Sequence, residues 1–268
     1  MKFDLANCHF AFLDLETTGL SAWFGDRVCE TGIVLTEGKR IKSTFQRLSN
    51  PGRLLSPGAA SANGLADADL KSAPIFAEIA DDVEAQLRDS VVICHNAQFD
   101  LQFLDSEFRR IGRQLVIPNL IDTLLLARQY FDLPSYSLRS IAEAFHVSVV
   151  NEHGAQADAL NARAIFFAMM DELKEFNKPL DDYIGIYNSP AWPNEGIQLP
   201  TELGEAIYGG KKIFIRYVDK DGEQSERWIT PKQVTGLSDY IYLQAYCHLR
   251  EAERSFRLDR IVDIKVEA

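Results

Sequence analysis

The sequence predicts an α/β domain built on a mixed sheet, followed by a small, mostly β module. Three observations carry this. Nearly continuous apolar runs recur early in the chain, as strands buried on both faces require. Amphipathic helical patterns alternate with short apolar runs after residue 70. Residues 176–200 then change character, with Pro179, Pro190, Pro193, Pro200, Gly185 and Gly196, and strand patterns follow them.

Each element has its own warrant. His9-Phe10-Ala11-Phe12-Leu13 reads as a buried strand. Val28 to Leu35 and Lys39 to Leu48 read as two more, with Glu37-Gly38 turning between them. Residues 54–70 read as loop, on the strength of Ser56-Pro57-Gly58 and Asn63-Gly64. Ile75 to Leu87 has helical spacing, and Val91 to Cys94 is a short buried strand. Phe99, Phe103, Leu104, Phe108 and Ile111 mark the apolar stripe of a helix. Shorter helices are expected over Thr123 to Gln129 and Ser137 to Phe145, and a long one over Ala155 to Leu173. After the linker, strands are expected at Lys212 to Val218, Glu226 to Ile229, Tyr240 to Cys247, Ser255 to Leu258 and Ile261 to Val266, with Asp221-Gly222 as the first turn. The domain boundaries are therefore 1–175, a linker over 176–200, and 201–268.

Composition narrows the function. The 268 residues are 46% hydrophobic and 25% charged, which suits globular domains and excludes disordered or low-complexity classes. No apolar run approaches the roughly 18 residues of a membrane helix, so no membrane partner is expected. Asp4 interrupts the only apolar start, which argues against a signal peptide. Cys8, Cys29, Cys94 and Cys247 form no C-x-x-C pair. Zinc and a disulfide framework are not indicated, and a reducing cytoplasm is the default. The net charge is −11, of which residues 1–200 hold −10 and residues 201–268 hold −1. So acidic a first domain grips nucleic acid poorly without help, since phosphate needs Lys and Arg.

Three short stretches carry the chemistry. In Phe12-Leu13-Asp14-Leu15-Glu16-Thr17-Thr18-Gly19-Leu20, period two points both acids to one side of a strand. Paired that way they repel and lose hydration unless a cation joins them; if the strand has already ended, they are solvated turn residues. In Cys94-His95-Asn96-Ala97-Gln98-Phe99-Asp100 a strand ends and a helix begins, and Asp100 also suits a helix N-terminus for its dipole alone. In Glu152-His153-Gly154-Ala155-Gln156-Ala157-Asp158, five positions would rotate His153 and Asp158 about 140° apart on one helix. His153 is therefore expected in the loop, with Gly154 free to turn it inward, or else as a helix cap. Taken together, four carboxylates at element edges suit Mg²⁺ or Mn²⁺, and a neighbouring His can deprotonate water.

The ordered set D-x-E-T-T-G, H-N-x-x-F-D and H-x-x-x-x-D resembles the DnaQ-like DEDDh 3′–5′ exonucleases, over residues 8–172. The resemblance implies a ribonuclease H-like mixed sheet flanked by helices. It implies two divalent ions, Mg²⁺ or Mn²⁺, held by Asp14, Glu16, Asp100 and Asp158, with His153 as general base. The implied reaction releases nucleoside 5′-monophosphates from single-stranded DNA or RNA 3′ ends, DNA favoured. Thr17 matches the position that contacts the terminal nucleotide, and Leu20 the one that packs on its base. Trp23 and Phe24 are further stacking candidates, or loop aromatics folded onto the domain. His95 matches the second motif, and Asp122 is explained by a helix N-cap. One departure is Ala62-Asn63-Gly64-Leu65, where many relatives read Ile-His-Gly-Ile; Asn63 retains a hydrogen-bonding group for that contact.

The tail resembles a WYL domain, a small Sm-like or SH3-like β-barrel of bacterial regulators. Tyr242 and Leu243 match its signature, Ile241 stands for the signature Trp, and Phe256-Arg257-Leu258-Asp259-Arg260-Ile261 closes the match. The resemblance implies a nucleic-acid or nucleotide-like ligand held by Tyr242 and by Arg250, Arg254, Arg257 and Arg260. Cross-strand pairing of Arg257 with Asp259 on a solvated face is the plainer reading. The expected protein is a cytoplasmic bacterial exonuclease whose tail adds affinity by tethering, with homodimers known among relatives. The competing expectation is a ligand-responsive regulatory module that keeps the nuclease fold as scaffold.

Overall fold

The computed structural model describes residues 5–20, 22, 25–150, 154–173, 180–187, 203, 206–207, 209–219, 222–237 and 240–266. His153, Trp23, Phe24 and the Asp221 half of the expected Asp221-Gly222 turn lie outside them. The chain divides into two compact units, residues 1–18 with 27–189 and residues 19–26 with 190–268.

The first unit opens on three antiparallel strands, β1 (His9–Thr17), β2 (Val28–Glu37) and β3 (Arg40–Leu48). Gly38, at a left-handed φ of 53°, turns the chain between β2 and β3. Parallel strands β4 (Val91–Cys94) and β5 (Ile117–Asp122) continue the sheet beside β1. A short antiparallel edge strand, β6 (Gly185–Tyr187), completes the order β3-β2-β1-β4-β5-β6. The helices are α1 (Pro57–Asn63), α2 (Asp67–Leu70), α3 (Phe76–Leu87), α4 (Ala97–Arg110), α5 (Thr123–Tyr130), α6 (Leu138–Ala144) and α7 (Ala155–Leu173). This is the mixed sheet flanked by helices that the fold class requires.

Three expectations need correction. Residues 54–70 hold two short helices, not a bare loop. Ser56 caps α1 by accepting the Ala59 N–H at 3.1 Å, Pro57 opens it, and Gly64 closes it at φ 68°. Ser-Pro and Asn-Gly are helix start and stop signals as readily as turn signals. β5 is not expected from the sequence, because Pro118 and Asn119 break its pattern; its pairing with β6 is irregular there. Residues 180–187, expected in the linker, form a 3-10 turn (Leu180–Tyr183) and β6. Leu180 and Tyr187 are buried.

Long helix α7 sets the architecture around the site. Phe166 and Phe167 pack on Phe10 and Phe12 of β1, with ring centroids 5.1–6.1 Å apart. All four rings are buried, and truncating any one to Ala costs about 3–5 kcal/mol. Gly32 of β2 lets the start of α7 lie directly on the sheet, since a Cβ there would collide with the backbone of Ala155 and Gln156. On the other side of the sheet, α3 and α4 pack through Phe76, Val83, Leu101, Leu104 and Phe108.

The second unit is one antiparallel sheet of order β10-β9-β8-β7-β11. Its strands are β7 (Ile213–Val218), β8 (Gln224–Leu237), β9 (Tyr240–Cys247), β10 (Ala252–Arg257) and β11 (Ile261–Val266). Ile213, Ile215, Ile229, Leu243, Ala245, Cys247 and Phe256 form its core with Leu203 and Ala206.

Candidate active site

The strand β1 continues through Thr17, which decides between the two readings of its acids. Phe10, Phe12, Asp14 and Glu16 share one face by period two. The face is thus aromatic at its start and acidic at its end, and α7 runs along it. Phe166 covers the aromatic half. Eight residues earlier on α7, about 12 Å, stands Asp158; four residues later on β1, about 13 Å from Phe12, stands Glu16. The two spacings match, so packing of the phenyl rings brings the acids together. Asp14, Glu16 and Asp158 offer carboxylate oxygens that all lie within 4.8 Å of one another.

Asp100 arrives from the other side. β4 pairs with β1 only as far as Phe12 opposite Ile93, so the last residues of β1 project past it. The Leu15 N–H is left without a strand partner and donates to Asp100 Oδ1 at 3.0 Å. Asp100 is 3% exposed, in the first turn of α4. The site therefore lies at the carboxyl ends of parallel neighbours β1 and β4, where open α/β sheets bind ligands.

The electrostatics are those of crowded acids. Burial holds Asp14 well above the usual carboxylate range, and Asp100, Asp158, Glu16 and Glu30 add to the rise. Burial, then Asp158 and Glu30, push Glu16 up to about 7. Burial raises Asp100 as well, against the opposing pull of the Leu15 N–H. A cation between them would replace repulsion by attraction. The donors are all oxygen, which suits hard divalent ions. Cys29 does not compete: burial, with Glu16 and Glu30, pushes its thiol up to about 12. The residues fit the divalent ions that the chemistry calls for.

Two substrate candidates from the sequence are turned inward. Asn63 is buried, and its amide donates to the Thr17 carbonyl at 2.9 Å. His95 spends both ring nitrogens on the protein, Nδ1 with Thr123 Oγ1 at 2.9 Å and Nε2 with the Tyr136 carbonyl at 3.0 Å. Burial lowers its pKa. Asp122 does more than expected: it accepts N–H groups of Asn96 and Ala97 at the start of α4 and of Leu124 at the start of α5. Thr17 is 6% exposed, and Leu20, in the 19–26 segment, is 40% exposed.

Sequence reasoning missed Glu30 and Asn161. Glu30 stands directly across from Glu16 on β2 and is 4% exposed. An acid inside the buried run Val28-Cys29-Glu30-Thr31-Gly32-Ile33 was the available signal. Asn161, one turn after Asp158, donates to its Oδ1 at 3.3 Å and brackets the backbone of Val150 from both sides.

In the second unit the four arginines do not form one cluster. β10 pairs with β9 without a bulge, so Arg254 falls on the side of buried Phe256 and Arg257 on the side of Tyr242. Arg250 lies in the turn before β10 and Arg260 in the 3-10 turn Leu258–Arg260.

The exonuclease family of RNase T type matches residues 11–166, more than half of the chain. The chain belongs to this exonuclease family. A WYL domain matches residues 198–266. DNA polymerase III subunit epsilon of Treponema pallidum is 33% identical over 167 residues, covering 60% of this chain and 77% of that one. The subunit epsilon of Rickettsia prowazekii is 34% identical over 178 residues, 62% of this chain and 78% of that one. The PolC-type DNA polymerase III of Caldanaerobacter subterraneus is 34% identical over 168 residues, 62% of this chain but 12% of the relative. Among solved structures, cell-death related nuclease 4 shares the fold at a TM-score of 0.58 and 14% identity, over 77% of each chain. E. coli exonuclease I, solved with a dT13 oligonucleotide, does so at 0.56 and 16%, over 89% of this chain and 55% of that one. Among the described residues, no helix is long and apolar enough to cross a membrane.

Proposed function

We propose that this protein is a divalent-cation-dependent 3′–5′ exonuclease that degrades single strands, DNA in preference to RNA, to nucleoside 5′-monophosphates. The convergence of Asp14, Glu16 and Asp158 on one point at the end of the sheet carries the reading. Membership of the exonuclease family supports it, as does the oligonucleotide bound by exonuclease I.

Asp14, Glu16, Asp100 and Asp158 would hold two ions, Mg²⁺ or Mn²⁺. When bound, such a pair stabilises charge on the attacking and leaving oxygens of an in-line displacement. His153 takes a proton from the attacking water, as an imidazole with a pKa near neutrality can. The water oxygen bonds to phosphorus, the bond from phosphorus to the 3′ oxygen of the penultimate nucleotide breaks, and that oxygen takes a proton from solvent. Thr17 holds the terminal nucleotide, with Asn63 behind it through the Thr17 carbonyl, and His95 acts through the Thr123 hydroxyl. In the WYL domain a nucleotide-like or single-stranded ligand would meet the sheet face that carries Tyr242 and Arg257.

The test is a 5′-labelled single-stranded DNA and its RNA counterpart incubated with Mg²⁺, Mn²⁺ or EDTA. A ladder shortening from the 3′ end, lost in EDTA and in Asp14→Ala, is expected. Retained cleavage in Asp14→Ala would overturn the proposal, and so would metal binding with no cleavage of either strand. The latter outcome would favour the regulatory-module reading.

A further inference from the structure

Glu30 is a buried acid beside Asp14 and Glu16, and the reaction proposed above gives it no task. Its surroundings do. Oε1 accepts the Gln46 amide of β3 at 2.7 Å, and Oε2 accepts the N–H of Ala155, the first residue of α7, at 3.0 Å. Gly154, at φ +123°, lets the chain pass there; a Cβ on it would lie 3.1 Å from Glu30 Oε2. Two residues along β2, Gly32 admits the backbone of Ala155 and Gln156 against the strand. One strand thus supplies both a hydrogen-bond acceptor and a gap for the start of the same helix. An orphan N–H at a helix start is ordinarily satisfied by a local cap. Here it is met by a carboxylate 125 residues earlier in the chain.

We propose that Glu30 is a positioning residue of the active site: with Gly32 and Gly154 it anchors the first turn of α7 to β2, which places Asp158 beside Asp14 and Glu16. Asp158 lies in that first turn, its N–H donating to the Gly154 carbonyl at 3.2 Å. His153 directly precedes Gly154 in the chain, so the anchor also sets the point from which that residue departs. The reading explains why a fifth acid stands where like charges across a ladder destabilise. It also explains why the carboxylate is turned to Gln46 and Ala155: Glu30 is outside the group whose oxygens converge. The inference rests on the proposed nuclease reaction for its kinetic consequence but not for its structural one.

The experiment compares Glu30→Ala with Glu30→Gln in the full chain. Gln keeps an oxygen for the Ala155 N–H and drops the charge. The readouts are hydrogen exchange at Ala155 to Asp158 without metal, Mn²⁺ affinity by calorimetry, and kcat and KM on a labelled single strand. Glu30→Ala is expected to speed exchange in that turn and to lower Mn²⁺ affinity and kcat by about 10- to 100-fold, with KM little changed. Glu30→Gln is expected to stay close to wild type in all three. A Gln variant as damaged as Ala would overturn the proposal, because the charge and not the anchor would then matter. Unchanged exchange in the Ala variant would overturn it too. If Glu30→Ala does not fold, Gln46→Ala frees the other carboxylate oxygen and should show the same exchange pattern more weakly; no change there counts against the anchor. A wild type without nuclease activity would sink the proposed reaction and leave the exchange result to decide the anchor.

Discussion

The acidic end of the first unit and the arginine segment of the second behave in opposite ways. Asp14, Glu16, Asp100 and Asp158 come from a strand and two helices spread along the domain, yet their carboxylates crowd together. Arg250, Arg254, Arg257 and Arg260 fall within eleven positions of sequence, yet the pleat of β10 parts Arg254 from Arg257. Nearness along the chain does not make a site. What makes one is a long helix lying along a strand, with the same side-chain face used first for packing and then for chemistry.

The contrast meets its hardest test when charge is removed and shape is kept. Asp100→Asn retains an oxygen for the Leu15 N–H. It should fold normally and lose on the order of 10²- to 10³-fold in kcat, the loss typical when a transition-state-stabilising group is removed. A variant with full activity would return Asp100 to the plainer role of an acid at a helix start.

The next largest effect concerns pH. Glu16 titrates near 7 in the folded protein without metal, against 4.5 for the free side chain. The folded state therefore binds this proton more tightly than the unfolded one. Its contribution favours folding below about 4.5 and is lost as pH rises through 7. Thermal melts in EDTA should show Tm falling from pH 5 to pH 7.5, with Mn²⁺ restoring it more at the higher pH. A Mn²⁺ effect independent of pH would argue that the acids are not its ligands.

A smaller effect should follow at Asn63. Asn63→Ala leaves the buried Thr17 carbonyl without its amide donor. The expected cost is about 1–3 kcal/mol of stability, read from chemical denaturation. If Asn63 instead touches substrate, KM will rise with stability unchanged.

The smallest effect belongs to the tail. If its Tyr242 face meets nucleic acid, Arg257→Ala should reduce the slope of log affinity against log salt by about 1, and Arg254→Ala should leave it unchanged. Equal effects from both would mean that the strand faces are not distinguished.

Much of this protein is legible in its amino-acid order. The apolar run from His9 to Leu13 predicts the central strand, and the spacing of Asp14 and Glu16 puts two acids on one face. The stripe from Phe99 to Ile111 predicts α4 and puts Asp100 near its start. Elements with mixed signals mislead: Ser56-Pro57 opens a helix, Pro118 sits inside a strand, and Leu180 to Tyr187 rejoins the sheet from a stretch rich in Pro and Gly. Local pattern records what a segment prefers, and such segments are decided by what they pack against.

The types of most elements, the shared side of Asp14 and Glu16 on a strand, and the three motifs that resemble a nuclease follow from the sequence alone. The folded chain was needed to show that Asp14 and Glu16 lie within the strand and not past it. Folding also turned Asn63 and His95 inward and set Glu30 behind the start of α7. The reason is physical. Side-chain direction follows from local periodicity, which is written in neighbouring residues, whereas burial and partnership depend on which distant backbone comes within about 3 Å of a polar atom.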